Sequence, residues 1–144
     1  MDALDRKILN IMQKNSRITV KQIAEECFIS SPSVSVRLQN LESLGYIRTY
    51  QAVLDHQKLG FLIKAYVNCA VNAKDKQDFY RYIEEIPNVV ECDCITGDYS
   101  MLLKVYFSNT IELDEFINDL QRFGDTKTHI VFSTNVGPRG LQIQ

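Results

Sequence analysis

Hydrophobic positions in the first third of the chain recur at helical spacing, and the phase breaks twice. Leu4, Ile8, Ile11 and Met12 form one stripe behind Asp2, which predicts a helix capped at Asp2 that stops near Asn15 and Ser16. Val20, Ile23, Ala24 and Cys27 form a second stripe, and Thr19 with Gln22 three positions later has capping-box spacing. Phe28 and Ile29 leave room only for a tight connection. Ser30 predicts a third cap, Pro32 falls in a first turn where a missing N–H costs nothing, and Val34, Leu38 and Leu41 form the buried side up to Gly45.

Past Gly45 the pattern changes. Tyr46 to Leu54 is rich in aromatic and β-branched residues and reads as an extended strand or wing, and residues 55–60 read as a polar linker. From Phe61 the period is two: Phe61, Ile63, Ala65, Val67, Cys69 and Val71 share one face. Phe79, Tyr82, Ile83 and Ile86 then mark a helix that Pro87 ends. Val89 to Thr96 and Tyr99 to Phe107 are two strands joined at Gly97-Asp98, which reads as a two-residue hairpin turn. Asn109 caps a further helix with Leu113, Phe116, Ile117 and Leu120 on one stripe, and Thr126 to Thr134 is the last strand.

The expected fold is therefore α+β: an N-terminal winged helix-turn-helix over residues 1–54, a linker over 55–60, and a ferredoxin-like βαββαβ domain with an antiparallel sheet over 61–144. Such a sheet has both helices on one face. The other face would display Leu62, Tyr66 and Ala70, apolar surface that a monomer rarely leaves in water, so two copies are expected to pair through it.

Composition narrows the class. A hydrophobic content of 45% with 24% charged residues suits a packed core and excludes a disordered tail. No apolar run reaches the roughly 18 residues of a membrane span, and Asp2 and Asp5 stand where a signal peptide has basic residues, so a cytoplasmic location is expected. Cys27, Cys69, Cys92 and Cys94 all lie in apolar periodic segments and read as buried free thiols; no second ligand pair completes a zinc site, and no cofactor is expected. The net charge of −2 conceals an asymmetry: residues 1–60 hold eight basic against six acidic side chains, the remainder eight against twelve. The front half thus favours polyanions.

A helix-turn-helix sets its second helix into the major groove of double-stranded DNA. With Val34 at the centre of the buried stripe, Pro32, Val36 and Gln39 lie opposite it, Ser33, Arg37 and Asn40 fan to one flank, and Ser35 lies on the other. Together with Ser31 at the helix start, these are the candidate base and backbone readers, because hydroxyl, amide and guanidinium groups pair with base edges and a valine can meet a thymine methyl. Arg17 and Lys21 are candidate phosphate contacts. A small helical docking module would show the same polar outer face.

The run Leu4 to Leu9, then Asn15-Ser16-Arg17, Ile23-Ala24, Ser30 to Leu38 and Leu41 to Ile47, followed by the hairpin Thr96 to Tyr99, resembles the Lrp/AsnC family of feast/famine regulators across essentially the whole chain. The resemblance implies a DNA-binding transcription factor whose second domain binds an amino-acid effector and joins homodimers into larger assemblies such as octamers. It also implies an effector site between dimers near Thr96, Gly97, Asp98, Tyr99 and Ser100. Where relatives commonly have an acidic residue after the hairpin aromatic, this chain has Ser100. Asp98 is then the nearby carboxylate for an ammonium group. An effector-independent DNA organiser and an amino-acid-binding docking module are the alternatives. An enzyme is not expected, since His56 and His129 belong to no catalytic constellation.

Overall fold

The computed structural model describes residues 1–144, which form two compact units: Met1–Val53 with Asn135–Gln144, and Leu54–Thr134. In the first unit α1 is Ala3–Lys14, α2 is Val20–Cys27 and α3 is Ser31–Ser43. Local chemistry sets each start. Asp2 and Asp5 exchange backbone N–H bonds with one another's carboxylates in a capping box, and Thr19 and Gln22 form the same box for α2 through a hydroxyl and an amide oxygen. The Ser30 hydroxyl accepts from Ser33 N–H at the start of α3, with Pro32 in the first turn. Ile8, Ile23 and Val34 are fully buried where the three helices meet. Leu9, Met12, Ala24, Cys27 and Leu41 close the core around them, and Leu38 is half-buried.

The second unit contains β1 (Ile63–Cys69), α4 (Lys76–Glu84), β2 (Val89–Cys94), β3 (Met101–Phe107), α5 (Thr110–Leu120) and β4 (Thr126–Ile130). The strands order as β2-β3-β1-β4, all antiparallel, the ferredoxin-like arrangement. Alternation places Ala65, Val67 and Cys69 of β1 with Met101, Leu103, Val105 and Phe107 of β3 on one face, each buried. Phe79 and Ile83 of α4 and Leu113, Phe116 and Leu120 of α5 pack onto it. Phe79 meets Phe123 edge to face at 5.5 Å, a favoured aromatic geometry. The opposite sheet face mixes Tyr66, Leu102 and Tyr106 with Lys64, Asn68 and Lys104, all half-buried. Leu62 is largely exposed and Ala70 half-buried at the ends of β1.

Several expectations are corrected. Tyr46 to Leu54 forms no strand, because a strand needs a hydrogen-bonded neighbour and none lies beside it. Residues 55–60 are a compact turn rather than an open linker: Gly60 N–H donates to Gln57 C=O and Phe61 N–H to His56 C=O, and the His56 ring stacks on Tyr106 at 3.8 Å. The Gly97-Asp98 connection is a four-residue loop, since Ile95 N–H donates to Ser100 C=O and the ladder closes there. Gly97 adopts φ of +106°, a conformation that a side chain would strain. Residues 135–144, expected to continue the sheet domain, group instead with the helical unit, because the chain end hydrogen-bonds to α1. Cys94 is exposed because β2 is an edge strand; Cys27 and Cys69 are buried and Cys92 half-buried.

Candidate functional site

The outer side of α3 is set by the burial of Val34 and Leu41 on its inner side. Pro32, Val36, Gln39 and Asn40 are exposed, while Ser31, Ser33 and Ser35 are half-buried. Ser35 turns inward along the helix, its hydroxyl donating to the Ser31 carbonyl at 3.2 Å. Pro32, Ser33, Val36, Asn40, Leu44 and Tyr46, together with the Asp5–Arg37 pair, line a surface groove of about 650 Å³. Leu44 and Tyr46 were not singled out by helical phase, since they follow the last turn. Their exposed apolar character just after Ser43 was the available sign. No acidic residue lies on α3 before Glu42, so the surface does not repel phosphate along most of its length.

Arg37, an expected DNA contact, is engaged within the fold. Its guanidinium donates to Asp2 at 2.8 Å and to Asp5 at 2.6 Å, tying α3 to the first turn of α1. The two carboxylates are already held by their capping-box N–H bonds, so one closed ring links cap and clamp. The Asp5 N–H bond and then Arg37 hold the Asp2 carboxyl below its ordinary 3.8, and the Asp2 and Asp5 hydrogen bonds push Arg37 upward. The helical phase showed Arg37 on a flank of α3 but not its partners more than thirty residues earlier. Arg17 and Lys21 are exposed.

In the sheet unit, Thr96, Gly97 and Asp98 are exposed and Tyr99 is half-buried. Ser100 turns away from the loop tip: its hydroxyl accepts from Val71 N–H and donates to Val71 C=O, each at 2.9 Å, while its own N–H donates to Cys69 C=O. Ser100 therefore fastens the base of the loop to the end of β1, and its hydroxyl is committed to main chain. Burial pushes the Cys69 and Cys92 thiols up to about 11, so both remain protonated and unreactive at neutral pH.

Comparison with known proteins covers both units. Residues 1–48 match the winged helix-turn-helix DNA-binding family, and residues 64–140 match the Lrp/AsnC ligand binding domain. The HTH-type transcriptional regulator LrpC of Bacillus subtilis is 32% identical over 133 residues, covering 92% of either chain. The solved structure of that LrpC has a TM-score of 0.90 at 30% identity, covering 96% of this chain and 99% of the other. A transcriptional regulator of Neisseria meningitidis, solved as its L-methionine complex, has a TM-score of 0.90 at 24% identity, covering 95% and 93% of the two chains, a likeness of fold. No helix is long and apolar enough to cross a membrane.

Proposed function

Because this chain belongs to the Lrp/AsnC family and is a DNA-binding transcriptional regulator, we propose that it reads a specific double-stranded site with the outer side of α3. Ser33, Val36, Gln39 and Asn40 meet base edges, Ser31 and Pro32 enter the groove first, and Arg17 and Lys21 contact phosphates. Ser35 and Arg37 act through the fold rather than on bases: Ser35 is bonded within its own helix and Arg37 fixes the angle of α3 on α1. The carrying observation is an outer helix side that exposes Val36, Gln39 and Asn40 and has no carboxylate of its own before Glu42, beside a groove that extends to Leu44 and Tyr46 and in which the Asp5 carboxylate is paired with Arg37. Equilibrium binding tests it. Asn40→Ala should lose ~1–3 kcal/mol on a selected site, whereas Lys21→Ala should weaken all DNA alike and lower the salt slope by about one. Equal losses on selected and random DNA for Asn40→Ala would remove base reading from α3.

The regulatory unit, in this proposal, pairs with a second copy through the open sheet face, and the pairs join into larger assemblies such as octamers. The apolar parts of Tyr66, Leu102 and Tyr106 supply the contact. An amino-acid effector binds at Thr96, Gly97, Asp98 and Tyr99, its carboxylate on the loop N–H groups and its ammonium on Asp98. The L-methionine bound to the regulator of the same fold supports this class of ligand. Effector binding would shift assembly size by linkage and thereby the number of α3 helices that engage DNA together.

The engagement of the Ser100 hydroxyl with Val71 favours a second reading, an effector-independent DNA organiser, because it removes one polar group from the loop. Calorimetry with the common amino acids separates the two: heat that vanishes in Asp98→Ala supports sensing, and no heat with any of them supports the organiser.

A further inference from the structure

The chain leaves the sheet unit after Thr134 and re-enters the helical unit, so the two are joined covalently at two places. The returning segment docks on α1 through few contacts. The Asn10 amide donates to Ile143 C=O and accepts from Ile143 N–H, both at 2.9 Å, which reads the tail backbone as a neighbouring strand would. Gln13 donates to Leu141 C=O at 2.9 Å. Ile143 is half-buried against the helical core. At Gly140 the tail runs so close to α1 that a Cβ would lie 2.7 Å from Gln13 Cβ. The rest of the tail is exposed, Val136 and Leu141 included. A segment held by three side-chain bonds and one apolar residue belongs to the low-stability end of a fold, where docking and release exchange readily.

The other end of α1 holds α3. Asp2 at the N-cap and Asp5 in the first turn grip Arg37, a half-buried arginine at the edge of the groove beside α3. α1 is thus a rod of twelve residues, about 18 Å at 1.5 Å per residue. The tail is attached near its C-terminal end and α3 at its N-terminal end.

We propose that α1 relays the docking of the C-terminal tail to α3, so that the tail, the continuation of the regulatory unit's last strand, adjusts the angle at which α3 meets DNA. This rests on the reading of α3 as the DNA contact. The docked tail steadies Asn10 and Gln13, α1 keeps its first turn in place, and the two carboxylates fix Arg37. Release of the tail lets the first turn of α1 shift and loosens the clamp. Arg37 is here a positioning residue.

A double-mutant cycle on the full chain tests the relay, with DNA affinity measured on a duplex selected by the wild type. Asn10→Ala should weaken binding about five-fold, Arg37→Gln more, and Asn10→Ala in the Arg37→Gln background should add less than about two-fold. Amide exchange at Asp5 should quicken in Asn10→Ala, which a merely local loss near Ile143 would not produce. Gly140→Ala alters no residue of α1 and crowds the tail against Gln13, so it repeats the cycle if Asn10→Ala folds poorly. Effects that multiply, with unchanged exchange at Asp5, overturn the relay while wild-type binding preserves the assignment of α3. Failure of the wild type to select any duplex overturns both.

Discussion

The two units are held together in different ways. The sheet unit buries fourteen residues in one apolar cluster, with two helices on one face and aromatic contacts among Phe79, Phe107, Phe116 and Phe123. The helical unit buries eight and adds polar links between segments far apart in sequence, Arg37 to Asp2 and Asp5 and Asn10 to Ile143. Apolar packing is dense and tolerates little rearrangement, whereas exposed polar links can be exchanged at small cost. The difference suits the proposed division of work, in which the sheet unit defines an assembly and needs one shape, and the unit that meets DNA needs adjustable ones.

The largest effect that would sharpen this contrast is in the sheet unit. Phe79 is fully buried, so Phe79→Ala should cost ~3–5 kcal/mol in urea unfolding, a lost transfer term plus a cavity. A loss under about 1 kcal/mol would mean that the apolar cluster relaxes freely and the contrast fails.

A smaller effect belongs to the helical unit. Thr19→Ala removes one half of the α2 capping box and should cost about 1 kcal/mol in thermal unfolding. Its consequence should appear more strongly in DNA affinity than in assembly size, measured by sedimentation. Equal disturbance of both would contradict this contrast between the units.

The smallest effects are in pH. The Asp2 carboxyl is held below its ordinary 3.8, chiefly by Asp5 N–H and then by Arg37, so its contribution to the folded helical unit is present above that value. It is lost as pH falls through the lower folded value. Tyr50 runs the other way: burial first, then its 2.6 Å bond to Glu42, raise its hydroxyl from 10.0 to about 12. The protonated form is favoured in the fold, so this contribution is intact below pH 10 and is lost as pH rises towards about 12. Tyr50→Phe should flatten the alkaline slope and leave the acid one. Loss of both slopes in that variant would assign them to global unfolding.

What the sequence made legible was local. Asp2, Thr19, Ser30 and Asn109 all cap the helices expected of them, since a cap is decided within three residues. The inward faces of β1 and β3 followed from alternation alone. Contacts between distant segments were not legible. Arg37 has the wheel position of a base reader, yet carboxylates at the start of the chain hold it. Ser100 sits in the proposed effector hairpin by position, but its hydroxyl is bonded to Val71, and the tail's attachment spans 133 residues. The Asp2 and Asp5 spacing did announce a cap; nothing local announced that the same carboxylates grip an arginine on another helix.

The central claim is that the outer side of α3 chooses the sequence. Selection of bound duplexes from a random pool, run in parallel for the wild type, Ser33→Ala, Asn40→Ala and Lys21→Ala, tests it most directly. The account predicts an approximately two-fold symmetric wild-type site, with half-sites one or more helical turns apart, altered base preference in the Ser33 and Asn40 variants, and the wild-type motif at weaker affinity in Lys21→Ala. An identical motif from all four proteins would show that α3 does not read the bases.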